Sequence, residues 1–328
     1  MRNKILNYFI LFFTLTNLTQ IALASDNFAK HNAEIIKLLK GKSIDLIAPA
    51  SGTTEKLMSE LENIKEIQLN IPKNCFSSPT TFHSSNDQVR FNCFKEALFN
   101  NTPILWVLRG GYGSAKIISE LKKLPKPSKE KFFIGYSDNT ALHLFLTQEW
   151  GWRTIHGAGM VEILSSDKDK ANFIKIAKIV SGKTNTATIS GLVPINKAAK
   201  NTKILNSSIT GGNLTIIQTS IGTDWQIKPK GKIIFLEDVG IKPYQVDRGL
   251  LHLNQAGIFK EIKAIIFGDV DDNNKEIITT LVNFAESVNI PVFKCERFGH
   301  RKINDPIIYN TNSTLSKSGS SYNLVMIR

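Results

Sequence analysis

The segment Lys131–Asp138 places a serine where a nucleophile would be expected. An apolar run ends at Gly135, and Ser137 and Asp138 follow at once, ahead of a stretch whose apolar positions suit a helix. A turn from a strand into a helix exposes the serine hydroxyl and points free backbone N–H groups the same way. Both groups are needed to attack a carbonyl. The segment therefore predicts a serine nucleophile at Ser137.

Ser114 is a rival nucleophile, because it directly follows the glycine-rich loop Arg109–Gly113. Ser137 is preferred, since a strand, a glycine two residues earlier and a following helix fit the geometry of a nucleophile elbow. The match to Gly-x-Ser-x-Gly is incomplete, because Asn139 stands where the second glycine would be. This departure argues against the common hydrolase fold.

The glycine-rich loop Arg109–Gly113 allows three interpretations. It could cradle a phosphate, although the pattern Gly-x-x-x-x-Gly-Lys-Ser/Thr is absent. It could form only a tight turn, or it could present backbone N–H groups to an oxyanion. The last interpretation fits a neighbouring Ser137.

A serine nucleophile also needs a base, and a third group that orients the base. Of six histidines, His300 is the favoured base, because Arg297–Arg301 follows a short apolar run and is expected on a loop beyond a strand. His156 is a second loop histidine that could line the site. Glu237 and Asp238 end a strongly apolar strand, so one of them could orient the base; a helix-capping or salt-bridging pair is the alternative.

Strands alternate with helices through the first half of the chain, which predicts an open parallel sheet with helices on both faces. Ligands of such sheets bind at the carboxyl ends of the strands. The glycine-rich loop and the Ser137 turn both follow strands, so we expect them to be neighbours. The predicted elements are a strand from Ser43, a helix over 54–65, a strand Ile67–Ile71, a helix over 88–99, a strand Ile104–Leu108, a helix over 115–123 and a strand over 131–135.

The composition changes to Ser, Lys, Asn and Thr after the first half, and we predict a linker over residues 166–205. It divides an N-terminal α/β domain, residues 25–165, from a smaller β-rich C-terminal α/β domain, residues 206–328. The first domain carries the nucleophile. The second carries the candidate acid and base.

Residues 1–24 have the three-part pattern of a secretory signal peptide. Arg2 and Lys4 precede an apolar core, and Ala22–Ala24 closes the segment. The core is shorter than the ~20 residues that a membrane-spanning helix needs. We therefore expect cleavage after Ala24, no stable membrane span afterwards, and a periplasmic or secreted protein.

The chain is strongly basic, with 41 Lys and Arg against 28 Asp and Glu, a net charge of +13. Removal of residues 1–24 would leave +11, because it takes two basic residues and no acidic one. The lysines are spread along the chain, and no nucleic-acid-binding module is recognisable. Nucleic acid is therefore not an expected partner, whereas an anionic cell envelope suits an exported basic protein.

Three cysteines, Cys75, Cys93 and Cys295, match no zinc framework. An exported protein would meet oxidising conditions, so Cys75 and Cys93 could bridge, with buried free thiols as the alternative. His-Glu-x-x-His is absent, and residues 269–274 begin like a calcium loop but lack its glycine and its closing glutamate. No metal or other cofactor is expected.

Five motifs, in this order, resemble the motif series of the LD-carboxypeptidase family, which includes muramoyltetrapeptide carboxypeptidases and microcin C self-immunity peptidases. The resemblance covers about residues 40–315, which makes it more specific than any single motif. The motifs are Arg109–Gly113, Gly135–Asp138, Gly211–Leu214, Leu236–Asp238 and Phe298–His300.

The resemblance implies a serine peptidase whose Ser-Glu-His triad falls on Ser137, Glu237 and His300. It implies an oxyanion hole made of backbone amides, which would fall on Asp138 and on the glycine-rich loop at Gly111. It also implies a site between the two domains, and a homodimer.

The implied reaction cuts the bond between the L-centre of the diamino acid and the terminal D-alanine of a peptidoglycan stem tetrapeptide, through an acyl-enzyme. Well-known members of the family recycle muropeptides in the cytoplasm, whereas an exported member would meet stem peptides on the wall or on released fragments. One alternative is a peptidase for peptide-nucleotide antibiotics, against which export argues. Another is a catalytically silent envelope protein that binds muropeptides.

Overall fold

The computed structural model describes residues 32–76, 82–165, 169–270 and 274–328. The predicted signal peptide and its cleavage site lie outside these ranges, as does part of the calcium-like segment. Within the described ranges, no helix is both long and apolar enough to cross a membrane.

The first sheet has six strands in the order β12-β5-β4-β3-β1-β2. All its pairings are parallel except that of β12, which runs antiparallel to β5. The predicted open parallel sheet is confirmed, with one strand added to its edge from far along the chain. The strands are β1 Ser43–Ile47, β2 Gln68–Asn70, β3 Ile104–Val107, β4 Phe132–Gly135, β5 Ile155–His156 and β12 Ile307–Ile308.

Helices cover both faces of this sheet, which explains why all four residues of β3 are buried. Ile104 and Trp106 belong to one hydrophobic cluster, while Leu105 and Val107 belong to another on the opposite face. The helices of the chain are α1, described over 32–39, α2 Glu55–Glu62, α3 Asp87–Phe99, α4 Ile118–Leu121, α5 Thr140–Glu149, α6 Lys170–Val180, α7 Lys197–Asn201, α8 Leu214–Ser220, α9 Pro243–Gln255 and α10 Lys275–Ser287.

The second sheet has eight strands in the order β7-β13-β14-β6-β11-β10-β9-β8. Strands β8 to β11 are parallel, and the other half is antiparallel. β6 lies inside the segment predicted as a linker. The strands are β6 Thr186–Pro194, β7 Ile204–Ser207, β8 Ile209–Asn213, β9 Ile233–Asp238, β10 Ala264–Val270, β11 Val292–Lys294, β13 Asn312–Ser318 and β14 Ser321–Ile327.

The two sheets pack through a shared core. One hydrophobic cluster contains Trp106 of β3 together with Phe235 of β9 and Tyr322 of β14. Closer to the strand ends, Tyr309 stacks on His143 of α5 with ring centroids 4.5 Å apart. The Tyr309 ring also lies 5.1 Å from the ring of Phe235 in β9, so it connects α5 to the second sheet.

The glycine pair of β8 allows this approach. A β-carbon on Gly212 would lie 2.5 Å from the hydroxyl of Thr140, the first residue of α5. That hydroxyl accepts a hydrogen bond from the Asn213 backbone N–H at 3.0 Å. The turn that precedes α5 is therefore fastened to the second sheet.

Cys75 and Cys93 form a disulfide, with their Cα atoms 6.0 Å apart. It connects the end of the segment after β2 to the middle of α3. Of the two possibilities that the sequence left open for this pair, the structure contains the bridge. The third cysteine, Cys295, is buried, and burial raises the pKa of its thiol to about 11.

Candidate active site

Ser137 lies at the junction between β4 and α5 with a backbone φ of +61°. One 3-10 turn, Ser137–Asn139, separates the strand from the helix. Left-handed φ values are uncommon for residues with a β-carbon and cost on the order of 1–3 kcal/mol when the surroundings enforce them. The half-buried serine is thus held on a strained turn at the carboxyl end of the first sheet.

Asn139 fastens the turn to the glycine-rich loop. Its buried side-chain amide donates to the backbone oxygens of Tyr136 at 3.1 Å and Arg109 at 3.2 Å. A glycine at this position, as in the usual hydrolase elbow, would supply neither bond. Asn139 therefore has a structural role in this turn, which the sequence alone did not indicate.

His143 supports the turn from beneath. It is fully buried, and its Nε2 lies 2.8 Å from the Gly135 oxygen while its Nδ1 lies 2.7 Å from the Thr154 hydroxyl. A carbonyl can only accept, so Nε2 carries the proton and Nδ1 accepts from the hydroxyl. Both nitrogens are satisfied in the neutral ring, and burial lowers the pKa of His143 to about 3.

Ser114, the rival nucleophile, is completely buried. Its hydroxyl donates to the Asp138 backbone oxygen at 2.5 Å, and its N–H donates to the Asp138 carboxylate at 2.8 Å. Burial raises the pKa of that carboxyl. Ser114 and Asp138 thus link the glycine-rich loop to the nucleophile turn, and the Ser114 hydroxyl does not face a cleft.

Gly110 brings the glycine-rich loop against Ser137. A β-carbon on Gly110 would lie 2.7 Å from the Ser137 β-carbon and 2.9 Å from its hydroxyl oxygen, closer than real side chains come. The next residue, Gly111, adopts φ +112°, which is a glycine conformation. The loop therefore lies beside Ser137, as its position after β3 predicted.

Glu237 and His300 are paired. His300 Nδ1 lies 2.7 Å from Glu237 Oε2, and the carboxylate at the end of β9 is fully buried. A carboxylate accepts, so Nδ1 carries the proton and Nε2 is the nitrogen with basic character. The His300 ring also packs 4.7 Å from the ring of Tyr136, the residue before Ser137. Glu237 and His300 are therefore brought together from two separate segments, and the His300 ring packs against the residue that precedes Ser137.

The neighbouring carboxylate, Asp238, has a different task. It accepts from the Asn213 side chain at 2.9 Å and from the backbone N–H and hydroxyl of Thr215 at 3.0 and 2.7 Å. These contacts satisfy donors in the first turn of α8. The two interpretations of the acidic pair each fit one residue. Glu237 contacts the histidine, and Asp238 caps a helix.

The loop that carries His300 is held by residues to which the sequence analysis assigned no such role. Asp269, at the end of β10, donates its N–H to the Phe298 oxygen at 2.9 Å and pairs with Arg301 at 2.9 Å. The Gly299 N–H donates to the buried side chain of Asn304 at 3.2 Å. The position of Asp269 at the carboxyl end of a parallel strand is the signal that would have identified it.

His156, which the sequence analysis expected on a loop, lies in β5 and is buried beneath the site rather than lining it. It is fully buried, and its ring packs edge-on against Phe235 at 5.2 Å and Tyr136 at 5.8 Å. Burial lowers its pKa well below the usual histidine value. It is a neutral core residue that supports Tyr136.

Tyr136 connects the nucleophile turn to its surroundings. Burial raises the pKa of its phenol well above the usual value, and the Glu162 carboxylate, to which it is hydrogen-bonded, adds to this rise. The phenol therefore stays protonated beside His300.

In the described parts of the chain, no three His, Cys, Asp or Glu side chains are grouped to hold a metal ion.

A strained serine at a strand-to-helix turn, near a histidine that is paired with a buried glutamate, is the arrangement of a serine-type hydrolase. Residues 44–157 match the N-terminal domain of the LD-carboxypeptidase family, and residues 206–315 match its C-terminal domain. The chain belongs to the LD-carboxypeptidase family and is a serine-type carboxypeptidase of the muramoyltetrapeptide carboxypeptidase kind.

Individual relatives agree with this assignment. A predicted carboxypeptidase of Rickettsia conorii is 56% identical over 290 residues, which cover 88% of this chain and 92% of that protein. Murein tetrapeptide carboxypeptidase of Pseudomonas aeruginosa is 27% identical over 223 residues, 64% of this chain and 71% of that protein. The crystal structure of muramoyltetrapeptide carboxypeptidase from Oxalobacter formigenes shares the fold, with a TM-score of 0.71 at 22% identity over 87% of this chain and 99% of that one.

Proposed function

We propose that the protein is an LD-carboxypeptidase that removes the terminal D-alanine from peptidoglycan stem tetrapeptides. The observation that carries this proposal is the 2.7 Å contact between His300 and the buried Glu237, against the turn that holds Ser137 at φ +61°. Family membership and the Pseudomonas aeruginosa relative support the substrate class. The bond cut is the one between the L-centre of the diamino acid and D-alanine.

Ser137 is the nucleophile in this proposal, and His300 is the general base. The serine oxygen attacks the carbonyl carbon of the diamino acid while its proton moves to His300 Nε2. Glu237 holds the ring in the required tautomer and stabilises the imidazolium. Its complete burial favours this role, because a charge pair formed away from water is screened little.

The developing oxyanion would be bound by the backbone N–H groups of Gly111 and Asp138. Gly110 supports this assignment, since its missing side chain lets the loop contact Ser137. One such donor contributes roughly 3 kcal/mol of transition-state stabilisation. The Ser114–Asp138 bonds would keep the two donors in register.

Breakdown of the tetrahedral intermediate expels the amine of D-alanine, which takes the proton from the His300 imidazolium. The diamino acid carbonyl is then esterified to Ser137. A water molecule, deprotonated by His300, attacks the ester, and the tripeptide leaves with a new carboxylate while Ser137 regains its proton. No cofactor enters the sequence.

We also propose that the reaction takes place outside the cytoplasm, by a homodimer that lacks its signal peptide. The Cys75–Cys93 disulfide favours this location, because such bonds persist in oxidising compartments. The stem peptides there are attached to glycan or to released fragments of it.

The reaction is tested by its products. Purified protein incubated with disaccharide tetrapeptide should yield disaccharide tripeptide and free D-alanine, followed by mass spectrometry and chiral chromatography. A tetrapeptide that ends in L-alanine is the matched control, and we expect it to be cleaved far more slowly. Intact tetrapeptide after prolonged incubation with folded protein would refute the proposal.

A further inference from the structure

Three aromatic side chains, Phe82, His83 and Tyr112, form an exposed cluster beside the glycine-rich loop, here named the aromatic platform. Phe82 is 62% exposed and Tyr112 is 55% exposed. The Phe82 and Tyr112 rings are perpendicular with centroids 6.4 Å apart, and His83 lies 5.4 Å from Tyr112. Grouped apolar rings at a surface often mark a binding site.

Gly113 makes room for one ring of the platform. It adopts φ +120°, and a β-carbon at this position would overlap the ring of His83. Burial lowers the pKa of His83, and the nearby Arg90 and Lys116 lower it further, so the ring is an uncharged surface near neutral pH.

Ser51 joins the other two members. Its hydroxyl accepts from the Tyr112 N–H at 3.2 Å and donates to the Phe82 carbonyl at 2.5 Å. A β-carbon on Gly111 would overlap this hydroxyl, so glycine is needed there for the link to form. The glycines of the loop thus hold the platform as well as approaching Ser137.

Arg90 fastens the same loops from below and is 2% exposed. Its guanidinium donates to the carbonyl oxygens of Pro49, Ser85 and Gly113, and it pairs with Asp87 at 2.6 Å. A buried charge is retained only when its donors are satisfied. These bonds make the platform a preorganised surface.

The platform lies close to the nucleophile. Tyr112 follows Gly110 by two residues, so their Cα atoms are within about 7 Å of each other. Gly110 in turn contacts Ser137. A substrate whose carbonyl is held at Ser137 can therefore extend onto the platform.

The chemistry of the platform selects one part of the proposed substrate. Stem peptides present carboxylates, ammonium groups and small alkyl groups, none of which has a flat apolar face as large as an aromatic ring. The rings of a muropeptide are its sugars, and a pyranose presents a face of C–H groups. Aromatic rings supply rigid apolar area for such a face.

We propose that the aromatic platform binds a pyranose ring of the glycan that carries the stem peptide, so that the enzyme prefers glycan-linked tetrapeptides to free ones. This inference rests on the proposed function for the identity of the substrate. It names Tyr112 and Phe82 as the residues that set this preference.

Calorimetry with the Ser137→Ala variant tests the preference without turnover. We expect disaccharide tetrapeptide to bind about five- to tenfold more tightly than free tetrapeptide. Adding Tyr112→Ala or Phe82→Ala should abolish this difference, whereas Tyr112→Phe should keep it. Tyr244→Ala is the matched control, because Tyr244 is 58% exposed and lies outside the platform.

Equal affinities for the two ligands in Ser137→Ala would overturn the inference, as would a preference that survives both alanine changes. A peptide-nucleotide probe provides a third arm: if it alone depends on Tyr112 and Phe82, the platform binds a nucleobase and the glycan assignment is wrong. Platform-dependent binding by a protein that releases no D-alanine would refute the proposed reaction but leave the platform as a glycan site.

Discussion

The backbone at Ser137 sits at φ +61°, where a β-carbon is unfavourable. The strand, the helix and the turn between them that carries Ser137 were predictable from the sequence, because apolar periodicity and a glycine mark such a turn. The side chains that hold this turn in place were not predictable, since Asn139 and His143 act through backbone oxygens whose positions depend on the fold. The same holds for Asn304, whose side chain holds the Gly299 N–H.

Strain at Ser137 predicts that removing the β-carbon stabilises the fold. Ser137→Gly should have an unfolding free energy about 1 kcal/mol higher than Ser137→Ala, because glycine adopts positive φ without a steric cost. Both variants lack the hydroxyl, so the comparison isolates the backbone. Urea denaturation measures it, and an equal or lower stability of the glycine variant would contradict the strain.

His143 predicts a loss of stability in acid. Its folded pKa is about 3 and its ordinary value is 6.5, so protonation favours the unfolded chain below pH 6.5. The contribution of neutral His143 to the free energy of unfolding is complete above pH 6.5 and is lost as the pH falls towards 3. Between pH 7.5 and 5 we expect a loss of about 2 kcal/mol from this residue.

Urea titrations of wild type and His143→Gln at pH 7.5 and pH 5 measure this contribution. The glutamine variant should show the smaller difference between the two pH values. The exposed His252 provides the control, because His252→Gln should leave the wild-type difference in place. A pH dependence that His143→Gln does not reduce would contradict the assignment.

At the scale of elements, the alternation of strands and helices predicted the first sheet, and the ends of β4 and β9 predicted where polar residues gather. The pairing of β12 with β5 was not predictable, because a two-residue strand has no periodic pattern. Residue types alone left open which of Glu237 and Asp238 contacts the histidine, since the two carboxylates are adjacent and differ only in their surroundings in the fold; the family resemblance pointed to Glu237.

Substitutions at the end of β9 should separate catalysis from stability. Glu237→Gln is expected to lower kcat by about 100- to 10,000-fold, because an amide does not hold the required tautomer, with the unfolding free energy within about 1 kcal/mol of wild type. Asp238→Ala should destabilise by about 1–3 kcal/mol, since it leaves the buried side-chain amide of Asn213 and the backbone N–H of Thr215 without their acceptor. Steady-state kinetics and urea unfolding measure the two effects. A large fall in kcat in Asp238→Ala together with a loss of stability alone in Glu237→Gln would contradict the proposed roles.

Over the whole molecule, the proposed catalytic groups come from both sheets: Ser137 follows β4, Glu237 ends β9 and His300 follows β11. The fold class and the order of these segments were predictable, since each follows a recognisable apolar strand. The disulfide was left open, because the distance between Cys75 and Cys93 depends on how α3 packs against the first sheet.

The Cys75–Cys93 bridge closes a loop of 18 residues and should contribute about 3 kcal/mol. Thiol titration of the denatured mature protein should detect one free thiol, that of Cys295. Reductant should lower the melting temperature of wild type but not of the Cys75→Ser/Cys93→Ser variant. Three free thiols, or a wild type indifferent to reductant, would contradict the bridge.

The dependence of D-alanine release on Ser137 tests the central claim most directly. Release from disaccharide tetrapeptide should fall to background in Ser137→Ala, while Ser59→Ala, a change on the exposed face of α2, should match wild type. Release by Ser137→Ala at the wild-type rate would show that another group attacks the carbonyl.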